Sequence, residues 1–275
     1  MNHLSLKNKM NEPRKKFKIV TDKSARVILP NTLTLIGVCI GLTSINFALN
    51  QNFKLAIIAI VCAAIIDGLD GRIARLIKGT SKVGKELDSL TDIISFGVAP
   101  AFIMYFWTLN SLGKIGWLIS LIYVVCVALR LARFNINTGG EPSWRDNFFE
   151  GVPSPAGGIL VLSPLVYEQS GLNIFNFDLK LITPVLFIIV SILLISKIPS
   201  YSFKKIVVPR STTIFLLLGI VSLFGLLLIF PFNVIALGST IYLLALPFSI
   251  FHYNKLKKGS LANKLPAEDE PEDVL

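Results

Sequence analysis

Apolar residues along this chain gather into eight runs, near residues 29–49, 53–77, 84–108, 113–134, 153–169, 180–198, 213–230 and 233–253. Each is close to the length of about 20 residues that a helix needs to cross a bilayer core. The pattern predicts an all-α fold: a polytopic membrane helix bundle of about eight transmembrane helices. The breaks at Asn50-Gln51-Asn52, at residues 110–114 and at Pro231-Phe232-Asn233 predict tight turns, whereas 135–152 and 199–212 are longer polar connections. No internal repeat is visible, and the acidic end EDEPEDVL reads as a solvated tail.

Composition agrees with this. Of 275 residues, 53% are hydrophobic and only 16% charged, against about 25% charged in soluble domains. Cys39, Cys62 and Cys126 sit singly in apolar runs without CxxC or Cys/His spacing, which suggests neither zinc nor a disulfide framework. His3 and His252 lie near opposite ends of the chain, where a surface role is expected. The basic leader carries Lys7, Lys9, Arg14, Lys15, Lys16, Lys18 and Lys23 ahead of the first apolar run and shows no small-residue cleavage site, so the first span is expected to be retained.

Basic residues orient the spans. With the N-terminus inside, all 27 Lys and Arg except Lys54, Lys114 and Lys180 fall on the cytoplasmic side, as the positive-inside tendency requires. Both termini are therefore expected to be cytoplasmic. The net charge of +10 follows from orientation and attraction to membrane lipid, and no folded basic and aromatic surface remains to bind nucleic acid.

Against this background residues 67–92, DGLDGRIARLIKGTSKVGKELDSLTD, stand out. They place Asp67, Asp70, Asp88 and Asp92 at membrane depth, where even lenient scales charge roughly 2.5–3.5 kcal/mol for each unpaired carboxylate. A hairpin with its turn near residue 80 would set all four about 12–20 Å along their helices, at one cytoplasmic-side depth. Helical spacing puts Asp67, Asp70, Gly71 and Ala74 on one face and Gly84, Asp88, Asp92 and Ser95 on another. Hard oxygen ligands without His or Cys favour Mg²⁺ or Mn²⁺ over zinc, and four carboxylates suit a two-metal site. Gly71, Ala74 and Gly84 would let a bulky ligand approach the backbone, with Arg75, Lys82 and Lys85 to neutralise phosphate oxygens. The same small residues also serve as helix-packing devices, and Gly37 and Gly41 are assigned to packing.

The spacing D-G-x2-A-R-x8-G-x3-D-x3-D, met from Asp70 through Gly71, Ala74, Arg75, Gly84 and Asp88 to Asp92, resembles the signature of the CDP-alcohol phosphotransferase family. Those membrane enzymes transfer a phosphate-containing group from a CDP-linked donor to an alcohol. LPNTLTLIGVCIG at 29–41, ALRLARFNINTG at 128–139, FFEGVPSPAGG at 148–158 and YSFKK at 201–205 resemble its bacterial branch that uses CDP-diacylglycerol and L-serine. The resemblance divides the chain into a basic cytoplasmic tail (1–26), a family-like membrane domain (27–210), two additional transmembrane helices (211–254) and a cytoplasmic tail (255–275).

The resemblance implies that Asp67, Asp70 and Asp88 hold metal, that Asp92 also binds metal and acts as the base, and that Gly71, Arg75 and Ser81 line the nucleotide site. It also implies a homodimer and a bacterial inner-membrane enzyme with its active site toward the cytoplasm. Asn31 and Thr34 are either donors to the CDP-diacylglycerol phosphates or helix N-terminal caps, and the two roles are compatible. Arg130 and Arg133 either anchor a helix end at the interface or hold the serine carboxylate bidentately, with Glu150 as partner for the serine ammonium. Trp144, Phe148 and Phe149 suit the headgroup level. The rival readings are the same enzyme with choline, glycerol 3-phosphate or an inositol as acceptor, and a cation transporter with the four acids as its ion path.

Overall fold

The computed structural model describes residues 22–77, 79–136, 148–172, 178–201 and 213–262, with side chains described throughout except at 22–26, 148–150, 201 and 255–262. The helices are α1 (Asp22–Leu49), α2 (Phe53–Leu76), α3 (Lys82–Asp92), α4 (Ala99–Trp107), α5 (Lys114–Ile136), α6 (Ser154–Ser170), α7 (Leu179–Ile195), α8 (Thr213–Ile229) and α9 (Pro231–Ala262). A π-helical turn, Ile93–Val98, joins α3 to α4, so the pair forms one span, Lys82–Trp107.

Among the described residues, four helices are long and apolar enough to cross a membrane: Val27–Leu49, Lys82–Trp107, Lys114–Ile136 and Pro231–Asn254. α7 and α8 are shorter apolar helices. The apolar runs and the helices agree closely, with two differences. Pro231 opens α9 rather than sitting in a turn, as suits proline at a first helical position. The expectation of an all-α chain misses one short ladder, in which β1 (Phe148–Glu150) pairs antiparallel with β2 (Pro199–Tyr201).

The first helix explains the packing. Its exposed Ile28, Leu35, Leu42 and Leu49 recur every seven residues along one side, a face suited to lipid. Its opposite face is small: a Cβ on Gly37 would stand 3.3 Å from Thr91 Cγ2, and one on Gly41 would stand 2.6 Å from Ser95 Oγ and 3.1 Å from its Cα. These glycines therefore serve close packing, as the sequence suggested. Through them α1 grips the α3–α4 span while a tight turn, in which Asn52 N–H donates to the Phe47 carbonyl at 2.8 Å, folds α2 back beside it. Near the middle, α6 touches α2, α4, α7, α9 and the π turn. The largest buried side chains, Tyr123, Phe96 and Phe187, gather there, with Tyr123 edge-on to Phe187 at 5.3 Å between centroids.

The π turn has a local cause. Pro100 has no N–H to offer the Phe96 carbonyl four residues upstream, and the Ala99 N–H reaches back five residues, to Ile94. The Tyr123 hydroxyl instead donates to the Phe96 carbonyl at 2.7 Å, inside the core. Tyr123→Phe is expected to strand that carbonyl at about 1–3 kcal/mol. Thermal unfolding in detergent should then begin several degrees lower, at about 2–4 °C per kcal/mol for a chain of this size. An unchanged midpoint would mean that the carbonyl finds another donor.

Candidate active site

Asp67 and Asp70 project from the last turns of α2, and Asp88 from the second turn of α3. One carboxylate oxygen from each can be chosen so that all lie within 4.8 Å of one another. Asp92, one turn further along α3, sets its carboxyl against that of Asp67, and its Oδ1 is buried without a hydrogen-bond partner. Asp70 is almost fully buried and is steadied by the Thr34 hydroxyl, 2.7 Å from its Oδ2. The donor set is all hard oxygen. Oxygens on opposite sides of an octahedral Mg²⁺ are about 4 Å apart, so carboxylates this close fit a divalent ion, and the orphaned Oδ1 of Asp92 is an acceptor open to the same use.

The start of α3 fixes the carboxylate spacing. Ser81 caps it, its Oγ accepting the Gly84 N–H at 2.9 Å, in the usual manner of a serine N-cap. Asn31 lies inside α1, so its alternative role as a cap is ruled out. Its side chain instead abuts α3: a Cβ on Gly84 would lie 2.7 Å from Asn31 Oδ1. Thr34 likewise lies inside α1 and faces Asp70 rather than capping a helix.

Between these helices opens a cavity of about 540 Å³. Asn31, Thr34, Gly71, Ala74, Arg75, Ser81, Lys82 and Gly84 all line it, together with Asp70, Asp88 and Lys85. All of the residues assigned to the donor from sequence thus meet on one surface. Arg75, Lys82 and Lys85 are exposed at its rim, and Asp70 is buried in its floor. The glycines divide by role. Gly84 is forced by its neighbour, whereas a Cβ on Gly71 would meet nothing within 4 Å, so no helix contact requires that glycine and its smallness leaves the cavity open.

On the far side of Asp92 the guanidinium of Arg130 is within electrostatic reach. Arg130 is only 9% exposed, its Nη1 donates to Ser154 Oγ at 2.6 Å, and its Nε is buried without a partner. Arg133 points elsewhere and donates to the Ile195 carbonyl at 2.6 Å, closing the end of α7. The backbone of Glu150 pairs in β1, whereas its side chain and all of Trp144 lie outside the described residues, as do residues 1–21 and 263–275. Sequence reasoning passed over Ser154, although it lies within the 148–158 stretch quoted for the family resemblance. It also gave no role to Tyr242, whose buried hydroxyl neighbours Arg130.

Comparison with known proteins supplies the family. Residues 27–207 match the CDP-alcohol phosphatidyltransferase family. The chain is 38% identical over 230 residues to the CDP-diacylglycerol–serine O-phosphatidyltransferase of Mycobacterium leprae (strain TN), covering 81% of this chain and 74% of that one. It is 35% identical over 178 residues to the enzyme of the same name from Bacillus subtilis (strain 168), covering 64% and 92%. To the archaetidylserine synthase of Methanothermobacter thermautotrophicus (strain Delta H) it is 33% identical over 177 residues, covering 62% and 69%. Together with the signature that spans Asp70 to Asp92, these matches show that the chain belongs to the CDP-alcohol phosphatidyltransferase family.

Proposed function

We infer that this chain transfers the phosphatidyl group of CDP-diacylglycerol to L-serine, giving phosphatidylserine and CMP. The observation that carries the reading is the cavity in which a basic rim and an acidic floor meet, lined by every residue expected at the donor. A diphosphate carries its negative charge to both: Arg75, Lys82 and Lys85 take phosphate oxygens directly, while the acids can take them only with a cation between. Relatives whose names specify serine as acceptor agree with this.

Asp67, Asp70, Asp88 and Asp92 would hold Mg²⁺ or Mn²⁺, in a two-ion arrangement, in line with the divalent-metal dependence general in the family. When bound, such ions neutralise phosphate charge and acidify a nearby hydroxyl. The chain's own residues do the rest. Asn31 and Ser81 orient the donor, and Gly71, Ala74 and Gly84 admit it to the backbone. The serine hydroxyl oxygen bonds to the phosphorus that carries diacylglycerol, and the bond from that phosphorus to the CMP oxygen breaks, its electron pair leaving with CMP. Asp92 takes the hydroxyl proton. Arg130 holds the acceptor's carboxylate through its open Nε, and Glu150 is the partner proposed for its ammonium, whereas Arg133 is engaged at the end of α7.

In the proposed topology eight spans leave both termini in the cytoplasm, placing residues 67–92 at the cytoplasmic side of a bacterial inner membrane. The family-like domain covers residues 27–210, two further spans fill 211–254, and the enzyme works as a homodimer.

Two measurements test this. CMP release by the purified protein should require a divalent ion, and Asp92→Asn should lower kcat by about 10²–10⁴, the usual contribution of a general base. Near-normal turnover in that variant with metal bound would remove Asp92 from the role. When serine, choline and glycerol 3-phosphate are supplied separately, CMP release should follow serine, and Arg130→Ala should raise the serine KM at least tenfold. Preference for either other alcohol would overturn the acceptor assignment.

A further inference from the structure

The match to the family ends at residue 207, yet α9 reaches back to the acceptor end of the site. Its place is set by polar contacts. The Tyr167 hydroxyl on α6 bonds to the Ala236 carbonyl at 3.1 Å and to the Thr240 hydroxyl, and Ser249 Oγ donates to the Pro199 carbonyl in β2 at 2.7 Å. With α9 held at Thr240, the next residues toward its C-terminus bring Tyr242 inward. Its hydroxyl is buried and makes no hydrogen bond of normal geometry. Its polar neighbours are Ser200 and Arg130, and the Ser200 hydroxyl already donates to the Gly151 carbonyl at 2.8 Å.

Three buried polar atoms therefore lack a hydrogen-bond partner of normal geometry: Asp92 Oδ1 on α3, Arg130 Nε on α5 and Tyr242 Oη on α9. Arg130 is the electrostatic neighbour of both others. Natural proteins leave few such atoms, because an unpaired buried donor or acceptor is destabilising, and several together call for a polar occupant. The set consists of one carboxylate acceptor, one cationic N–H donor and one neutral O–H donor. That is the complement of a small molecule with a hydroxyl at one end and a carboxylate at the other.

We propose that Tyr242 and Arg130 together bind the carboxylate of the acceptor, so that α9 contributes an acceptor-binding residue from outside the family-matched region. This rests on the serine reading above. It predicts a role in affinity rather than in the transfer step, because the carboxylate it would hold is not the reacting group of the acceptor. Ser154 has a supporting part: it fixes the guanidinium by one nitrogen and leaves the Nε edge for the ligand.

The test is steady-state CMP release by the full-length protein with CDP-diacylglycerol and Mg²⁺. Tyr242→Phe keeps the ring and removes only the hydroxyl. The serine KM should rise about tenfold, the effect of losing one hydrogen bond to a charged group, with kcat and the CDP-diacylglycerol KM within twofold of wild type. L-Alanine, which keeps the carboxylate and ammonium of serine but lacks its hydroxyl, should weaken as a competitive inhibitor by the same factor. Ethanolamine, which lacks the carboxylate, should act equally on both proteins. An unchanged serine KM, or an equal loss for alanine and ethanolamine, overturns the proposal. Arg130→Lys separates the two levels. If it raises the serine KM while Tyr242→Phe does not, only the assignment of Tyr242 fails; if neither does, the acceptor end of the proposed function fails with it.

Discussion

Like charges crowded into a membrane helix hairpin repel one another, and this bundle's architecture holds them together. Asp67, Asp70 and Asp88 offer oxygens within 4.8 Å of one another, and Asp70 among them is buried, where charges interact more strongly than in bulk water. The surrounding structure resists their separation. Gly37 and Gly41 let α3 lie against α1, Ser81 fixes where α3 starts, and the Thr34 hydroxyl fastens Asp70 across the α1–α2 interface. Small residues are effective here because lipid provides no hydrophobic drive between helices, and close van der Waals approach must supply the attraction. The proposed cation supplies the remainder, since it turns mutual repulsion into shared coordination.

Asp92 differs from the other three acids in having neighbours on both sides. It meets Asp67 toward the carboxylate cluster and Arg130 toward the acceptor end, and one of its oxygens is buried without a partner. A carboxylate between a metal site and a guanidinium is where an incoming hydroxyl would have both its proton acceptor and its positioning group. In the proposed mechanism the division of labour among four chemically identical side chains follows from their neighbours, and Asp92 is the base because it alone has this double contact.

Much of this was legible in the sequence. The eight apolar runs correspond to helices because length and hydropathy are local properties. The hairpin brings the four acids together because helix rise is constant, and the donor residues follow the same periodicity into one cavity. What escaped depends on contacts distant along the chain. The β1–β2 ladder joins three-residue segments, too short for any alternation to register. Asn31 looked like a cap because asparagine commonly satisfies the first free N–H groups of a helix, yet α1 begins upstream and passes through Pro30, and a helix of this length absorbs one missing N–H. The partnership of Arg130 with Ser154 spans 24 residues, and no pattern in either stretch announces it.

The last two helices show most clearly how polar contacts sort a membrane bundle. α8 has no buried residue, and all of its large apolar side chains except the partly buried Leu227 are exposed, as suits a helix bathed in lipid. α9 is similarly apolar, but it carries Ser239, Thr240, Tyr242 and Ser249 on its inward side, and three of these bond to its own backbone, to α6 or to β2. In lipid such bonds, worth about 0.6–2 kcal/mol each, decide which helix docks and in what rotation. The same contacts tie α9 to β2, and through Ser200 to Gly151, whose left-handed backbone (φ +78°) leads into the start of α6. A Cβ there would stand 2.8 Å from the Ser196 carbonyl, so the turn tolerates glycine alone. That turn sets Ser154, and Ser154 sets Arg130. The added C-terminal helix is thus mechanically connected to the acceptor end of the site even before its own tyrosine is considered.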